Sequence, residues 1–202
     1  MIDLSQYIAS FPSLLDSVKA NLPWLITAHL KEVLISAMAE LSPHHFIIEN
    51  GIAIHQSAVI ERNVMLKAPM IIQADCFIGA NAYFREGVFL DKNVKIGPGA
   101  EIKSSIICSN TSIAHFNYIG NSIIGSHVNF EAGSIAANHY NERTDKTIDV
   151  LVDGQRIATG VHKFGSLVGD HAKIGANAVL SPGTILKMNS IVKRLELVEQ
   201  LK

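Results

Sequence analysis

Residues 54–106 read IHQSAVIERNVMLKAPMIIQADCFIGANAYFREGVFLDKNVKIGPGAEIKSSI. Every sixth residue from Ile54 is large and apolar: Ile60, Leu66, Ile72, Ile78, Phe84, Leu90, Ile96 and Ile102. Four residues after each comes Ala58, Val64, Met70, Cys76, Ala82, Val88, Val94, Ala100 and Ile106, apolar again. Neither a 3.6-residue helix nor a two-residue strand alternation has this period. A triangular parallel β-coil does. Each hexad makes one flat side and one corner, and three hexads close a turn of about 18 residues. Asn63, Asn81, Gly87, Asn93 and Gly99 precede the second apolar slot. Such residues tolerate left-handed torsions, as tight corners require.

The repeat resumes with one-residue deletions at Ile107, Ile113 and Ile119, then at Ile124, Phe130 and Ala136, and again at Val168, Ile174, Leu180 and Leu186. These steps predict an all-β fold, a left-handed parallel β-helix of hexapeptide repeats with about six coils. The break at 137–166 is dense in charge, with Glu142, Arg143, Asp145, Lys146, Asp149, Asp153, Arg156 and Lys163. Inside it Asp153-Gly154 is a two-residue hairpin signal between Thr147–Val152 and Gln155–Thr159. A charged excursion from an apolar prism is where function is commonly built.

Residues 1–45 read as a helical segment. Ser10 and Pro12 suggest a first helix start, and Pro23 opens a longer helix. Ile26, Leu30, Val33, Leu34, Ala37, Met38 and Leu41 form one apolar stripe, expected to cover the end of the next domain or a neighbouring subunit. The β-helix is expected over 46–192 and a tail over 193–202, the chain leaving the repeat after Leu186.

The composition agrees. Isoleucine occupies 26 of the 202 positions, charged residues are 17%, and net charge is −1. A neutral, charge-poor chain lacks the clustered Lys and Arg of a bulk nucleic-acid binder. Cys76 and Cys108 give no zinc spacing and no disulfide framework, which fits a reducing cytoplasm. The start has no basic region ahead of an apolar run, so no signal peptide is expected. The apolar stretch from Trp24 to Ala39 is interrupted by His29, Lys31 and Glu32, so no membrane insertion is expected.

Two stretches carry a family resemblance: Ala114-His115-Phe116-Asn117-Tyr118-Ile119-Gly120 and Val128-Asn129-Phe130-Glu131-Ala132-Gly133-Ser134-Ile135. They resemble the acetyltransferase half of the bifunctional N-acetylglucosamine-1-phosphate uridyltransferase/glucosamine-1-phosphate acetyltransferase family. That family reads Asn-His-Leu-x-Tyr-x-Gly and Val-Asn-Ile-Gly-Ala-Gly-Thr-Ile there. Lys163-Phe164-Gly165-Ser166-Leu167-Val168-Gly169-Asp170 is similar to archaeal-type sugar-1-phosphate nucleotidyltransferases, and Pro23-Trp24 with its amphipathic helix resembles their linker helix. The chain has no room for the nucleotidyltransferase domain itself.

The resemblance implies acetyl transfer from acetyl-CoA to the amine of an amino-sugar 1-phosphate. His115 matches the catalytic histidine; a histidine ordinarily titrates near ~6.5, which suits a base at neutral pH. Arg85 and Lys103 match phosphate-binding positions, where a guanidinium fork and an ammonium suit a dianion. Tyr118 and Asn129 match positions that hold the sugar and its phosphate. Asn138 matches an acceptor-orienting position, with His139 beside it where the family often has tyrosine. Backbone N–H groups around Ala132 and Gly133 could stabilise an oxyanion. Ala176 and the Lys193/Arg194 pair are the coenzyme A candidates. Glu131 stands where the family has glycine, and Thr144 where a basic residue is expected, with Arg143 adjoining. The family further implies a homotrimer with sites between subunits. No catalytic metal is expected: a γ-class carbonic anhydrase needs two of its three zinc histidines spaced H-x4-H, and His115, His127 and His139 lie twelve apart. An acyltransferase using another acyl donor and a catalytically silent trimer that binds a sugar nucleotide or scaffolds a partner are the competing readings.

Overall fold

The structure is a computed structural model that describes residues 2–201. The chain winds as a parallel β-solenoid with three faces. The first face stacks Ile52–His55, Met70–Ile72, the second halves of Tyr83–Leu90 and Glu101–Ile107, then Ile123–Ile124, Ser166–Val168 and Thr184–Leu186. The second is a seven-stranded sheet running from Val59–Ile60 to Ile191–Val192. The third runs from Met65–Leu66 to Leu197–Val198. Each face carries seven rungs, one more than the six coils expected.

The six-residue slot points inward. Ile72, Ile78, Phe84, Leu90, Ile96 and Ile102 are fully buried in one core, and Leu90, Ile107, Ile124, Val168 and Leu186 stack in register across the deletions and the excursion. The second series holds too, with one exception. Deletion of a residue near Ser104 and Ser105 puts Ser105 in the inward slot beside Val88 and turns Ile106 outward into a second core.

The corner between the second and third faces explains the turn residues. Asn63, Asn81, Gly99, Phe116, Gly133, Asn177 and Leu195 all adopt positive φ, between 56° and 72°. Asn and Gly enter this region at little cost; Phe116 and Leu195 are held there by the stack. Leu195 places a further corner after Lys193-Arg194. The chain therefore does not leave the coil at Val192 but adds Leu197–Val198 as a last rung.

The N-terminal segment differs from expectation in its detail and in its partner. Ser13–Val18 is a 3-10 helix preceded by Pro12, and Ser10 does not cap it. The helix opened by Pro23 breaks at His29 into Pro23–Ala28 and Leu30–Met38. The apolar stripe does not cover the end of the coil. It packs on the outward side of the first face along Met70–Ile72, Tyr83–Leu90 and Glu101–Ile107, where Ile71, Phe89 and Ile106 share its core, while the hairpin strand Asp149–Val152 lies against Thr184–Leu186 further on. Trp24 anchors it, 2% exposed and edge-on to Phe164 at 5.9 Å. Asp170 ties the segment down, accepting from the Ala9 N–H at 2.9 Å and the Ser126 N–H at 2.7 Å. The excursion joins the same core through Tyr140, Ile148 and Val150. Its hairpin pairs Asp149–Val152 with Gln155–Ala158, turning at Asp153-Gly154 with positive φ at both, as the dipeptide predicts.

Candidate active site

The residues singled out by sequence fall into three places. Arg85, Lys103, Tyr118, Asn138 and His139 gather along the third face and the corner that follows it. His115 sits at the corner between the second and third faces, with Ala132 and Ala176 stacked on the rungs beyond it. Asn129 lies on the second face, exposed, beside Lys173.

Arg85 and Lys103 are register neighbours at the end of the third face. Neither stands free. Arg85 Nε donates to Glu101 at 2.7 Å and its Nη1 to Glu86 at 3.0 Å. Lys103 is 5% exposed, and its Nζ lies 3.3 Å from the second Glu86 oxygen. Burial pulls the Lys103 ammonium below the ordinary lysine value, and the Glu86 bond offsets part of this. Desolvation would raise the Glu86 carboxyl, but the bond and charge of Lys103, with the charges of Arg85 and Lys163, hold it below the usual range. The cluster therefore holds charges of both signs. Glu101 as partner of Arg85 and Glu86 as partner of Lys103 were not legible, because each of these pairings crosses from one rung to the next.

Tyr118 continues this cluster one rung on, opposite Glu101 in register. Its hydroxyl donates to Asn138 Oδ1 at 3.3 Å. Burial raises the Tyr118 phenol above its ordinary value, so it remains a donor at neutral pH. Asn138 Nδ2 donates to Asn121 Oδ1 at 2.7 Å, and His139 Nδ1 lies 3.3 Å from Asn138 Oδ1. Sequence reading missed Asn121. A cavity of about 600 Å³ opens beside it, between Thr27, Lys31, Glu86, Ser104, Asn121 and the loop at Gly160–Lys163. Arg143, the loop base next to Thr144, stacks over the Tyr140 ring at 3.4 Å.

His115 is exposed and faces outward, as its slot predicts. Its backbone carbonyl accepts from Gly133 N–H at 3.0 Å and from Asn117 Nδ2 at 3.3 Å. That engages the Gly133 N–H, which is therefore not the oxyanion donor expected of it. The Ala132 N–H has no protein acceptor among the described residues. Glu131, the charge without a family counterpart, is neutralised. Arg194 grips it through two bonds, at 2.7 and 2.8 Å, and Glu131 Oε2 also accepts from the Ala176 N–H at 2.9 Å. Ala176 and Arg194, both coenzyme A candidates, are thus tied to Glu131. Glu61 accepts from the Ala80 N–H at 2.7 Å at an equivalent corner, so this carboxylate-to-corner bond is a device of the coil. A second cavity of about 630 Å³ lies between Asn129, Glu131, Lys173, Lys193 and Arg194. Among the described residues no group of three or more His, Cys, Asp or Glu is placed to hold a metal, and no helix is long and apolar enough to cross a membrane.

A three-faced coil of hexads defines the class: this is a hexapeptide-repeat protein of the transferase superfamily. A hexapeptide repeat of succinyl-transferase matches residues 167–193, and the GMPPB C-terminal domain matches residues 67–140. Within the superfamily its curated relatives include bifunctional GlmU-type proteins. It is 35% identical over 176 residues to the bifunctional protein GlmU of Methanococcus vannielii, covering 84% of this chain and 41% of that protein. It is 35% identical over 143 residues to the bifunctional sugar-1-phosphate nucleotidylyltransferase/acetyltransferase of Sulfurisphaera tokodaii, covering 61% of this chain and 35% of that protein. The chain thus spans about two fifths of the length of these relatives. A solved hexapeptide transferase family protein from Anaplasma phagocytophilum aligns over 73% of this chain and 74% of its own at 22% identity, with a TM-score of 0.37.

Proposed function

We propose that the chain is an acyltransferase that moves an acetyl group from acetyl-CoA to the amine of an amino-sugar 1-phosphate. One observation carries this reading. Arg85, Lys103, Glu86, Glu101, Tyr118 and Asn138 form a polar cluster of both signs at the end of the third face. An amino-sugar phosphate is itself an ion of both signs. Its phosphate suits Arg85 and Lys103, helped by Lys163; its ammonium suits Glu86 and Glu101. Tyr118 and His139 supply hydrogen bonds for the sugar, and Asn129, on the second face, would reach it from a neighbouring copy.

Acetyl-CoA, when bound, supplies an acyl carbon activated as a thioester. The chain's own residues do the rest. His115, brought to this cluster from a neighbouring copy, takes a proton from the acceptor ammonium, which otherwise has no lone pair to attack with. Asn138 of one copy and the free Ala132 N–H beside the incoming His115 of its neighbour serve as hydrogen-bond donors where negative charge develops on oxygen. Lys173 and Lys193, exposed on either side of the second cavity, suit the phosphates of coenzyme A. Holding both reactants in one orientation contributes much of the acceleration.

We further propose a homotrimer. The second and third faces leave Phe77, Phe116, Ile135, Ile191 and Leu197 exposed, and cyclic closure buries such a surface once per copy. Sedimentation should give three copies; a stable, active monomer would contradict this. A second reading, a silent binder of sugar nucleotides, has the Glu131–Arg194 pair in its favour, because that pair occupies the Ala176 N–H. The deciding experiment incubates the protein with acetyl-CoA and a panel of amino-sugar 1-phosphates and UDP-amino sugars, following thiol release and product mass. Release with an N-acetylated product supports the enzyme. Silence across the panel with saturable binding of an acetylated product supports the binder.

A further inference from the structure

Asn138 has a fixed polarity, set by one buried neighbour. Asn121 is 5% exposed and sits at a corner with φ +45°. Its N–H donates to the Lys103 carbonyl at 2.8 Å, and its own carbonyl accepts from the Gly165 N–H at 2.9 Å. The residue is thereby pinned between the Lys103 strand and the return of the excursion. Its side-chain oxygen then takes one Asn138 N–H at 2.7 Å. The Asn138 oxygen is turned the other way, toward the Tyr118 hydroxyl and His139 Nδ1, each at 3.3 Å. A carbonyl oxygen has two acceptor positions, and both are faced. The amide nitrogen keeps one N–H with no protein acceptor among the described residues. A buried donor without an acceptor is costly, so it is poised for a ligand. Gly120 makes the arrangement possible: a Cβ there would meet the Tyr118 hydroxyl at 2.6 Å and Asn138 Cγ at 2.9 Å.

We propose that Asn121 is a positioning residue that presents Asn138 to the bound reactants as a hydrogen-bond donor only. The proposal rests on the acetyl-transfer reading and deepens it. A donor suits the carbonyl oxygen of the acyl group, where negative charge grows during transfer. Its oxygen, already faced by Tyr118 and His139, is not free to accept a hydrogen bond from the acceptor amine, and proton removal falls to His115.

Two substitutions separate this from a purely structural role. A carboxylate only accepts, so Asn121→Asp must receive the same Asn138 N–H and keep its direction. Asn121→Gly tolerates the positive φ and removes the acceptor. Asn121→Asp should hold kcat within about threefold, and Asn121→Gly should lose roughly 10²-fold in kcat with the acceptor KM little changed. The loss should not add to that of Asn138→Ala. A readout free of turnover comes from selective ¹⁵N-asparagine labelling. One Asn138 amide proton should exchange slowly in the wild type and in Asn121→Asp, and rapidly in Asn121→Gly. Wild-type kcat in Asn121→Gly, a loss additive with Asn138→Ala, or an unprotected Asn138 amide in the wild type would overturn the proposal. No turnover by any form, with protection lost only in Asn121→Gly, would refute acetyl transfer while upholding the hold of Asn121 on Asn138.

Discussion

The first and third faces are built from one coil and do opposite work. Outward on the first face stand Ala53, Ile71, Phe89, Ile106, Ile123, Leu167 and Ile185, every one buried under the N-terminal helices or the excursion. Outward on the third stand Met65, Tyr83, Glu101, Tyr118, Ile135, Val179 and Leu197, uncovered and partly polar. The inward slots are alike, so the coil itself does not distinguish them. The outward residue does. An apolar column recruits a lid from the same chain, and a mixed column is left for ligands or other copies.

Substitutions on the two faces should therefore separate stability from activity. The largest effect belongs to the covered face. Trp24→Ala removes a side chain that is 2% exposed and should cost about 3–5 kcal/mol in urea unfolding, with turnover per folded molecule unchanged. On the open face, Gly120→Ala should do the reverse. Its Cβ displaces the movable end of Tyr118, breaking the bond to Asn138. Turnover should fall roughly 10²-fold while the thermal midpoint moves little. Equal losses of stability and activity from both substitutions would erase the distinction between the faces.

The smallest effect is at the far corner. Arg194, and then the Ala176 N–H, hold the Glu131 carboxyl at about 2, against an ordinary 4.5. A lowered folded value adds stability above the ordinary value, and the gain disappears as pH falls through about 2. Glu131→Gln should therefore unfold slightly earlier than the wild type at neutral pH. The two midpoints should converge as pH falls from 4.5 toward 2. A gap that persists at the acid end would mean that the ion pair is not its source.

Much of the fold was legible because one slot recurs. Ile54 to Ile102 announces the inward column, and Asn63, Asn81 and Asn93 announce corners because asparagine suits left-handed torsions. Where an unfavoured residue fills such a corner, the signal fails. Leu195 is the instance: it hid the last coil. The stripe of the second helix was plain, but its partner was not, since an apolar stripe does not say what it covers. The cations Arg85 and Lys103 were visible through the resemblance. Their carboxylates were not, because register between rungs decides those contacts. Asn121 carried no signal at all. Its role depends on Asn138, beyond the next rung, and on a glycine between them.

His115 lies outside the covered core, and its side chain accepts no structural bond among the described residues. The most direct test compares steady-state acetyl transfer by the wild type and His115→Ala on the acceptor found active in the panel, with the thermal midpoint of each. Acetyl transfer through this base predicts a loss of about 10²–10⁴ in kcat with the midpoint unchanged. Equal turnover by the two proteins would contradict it.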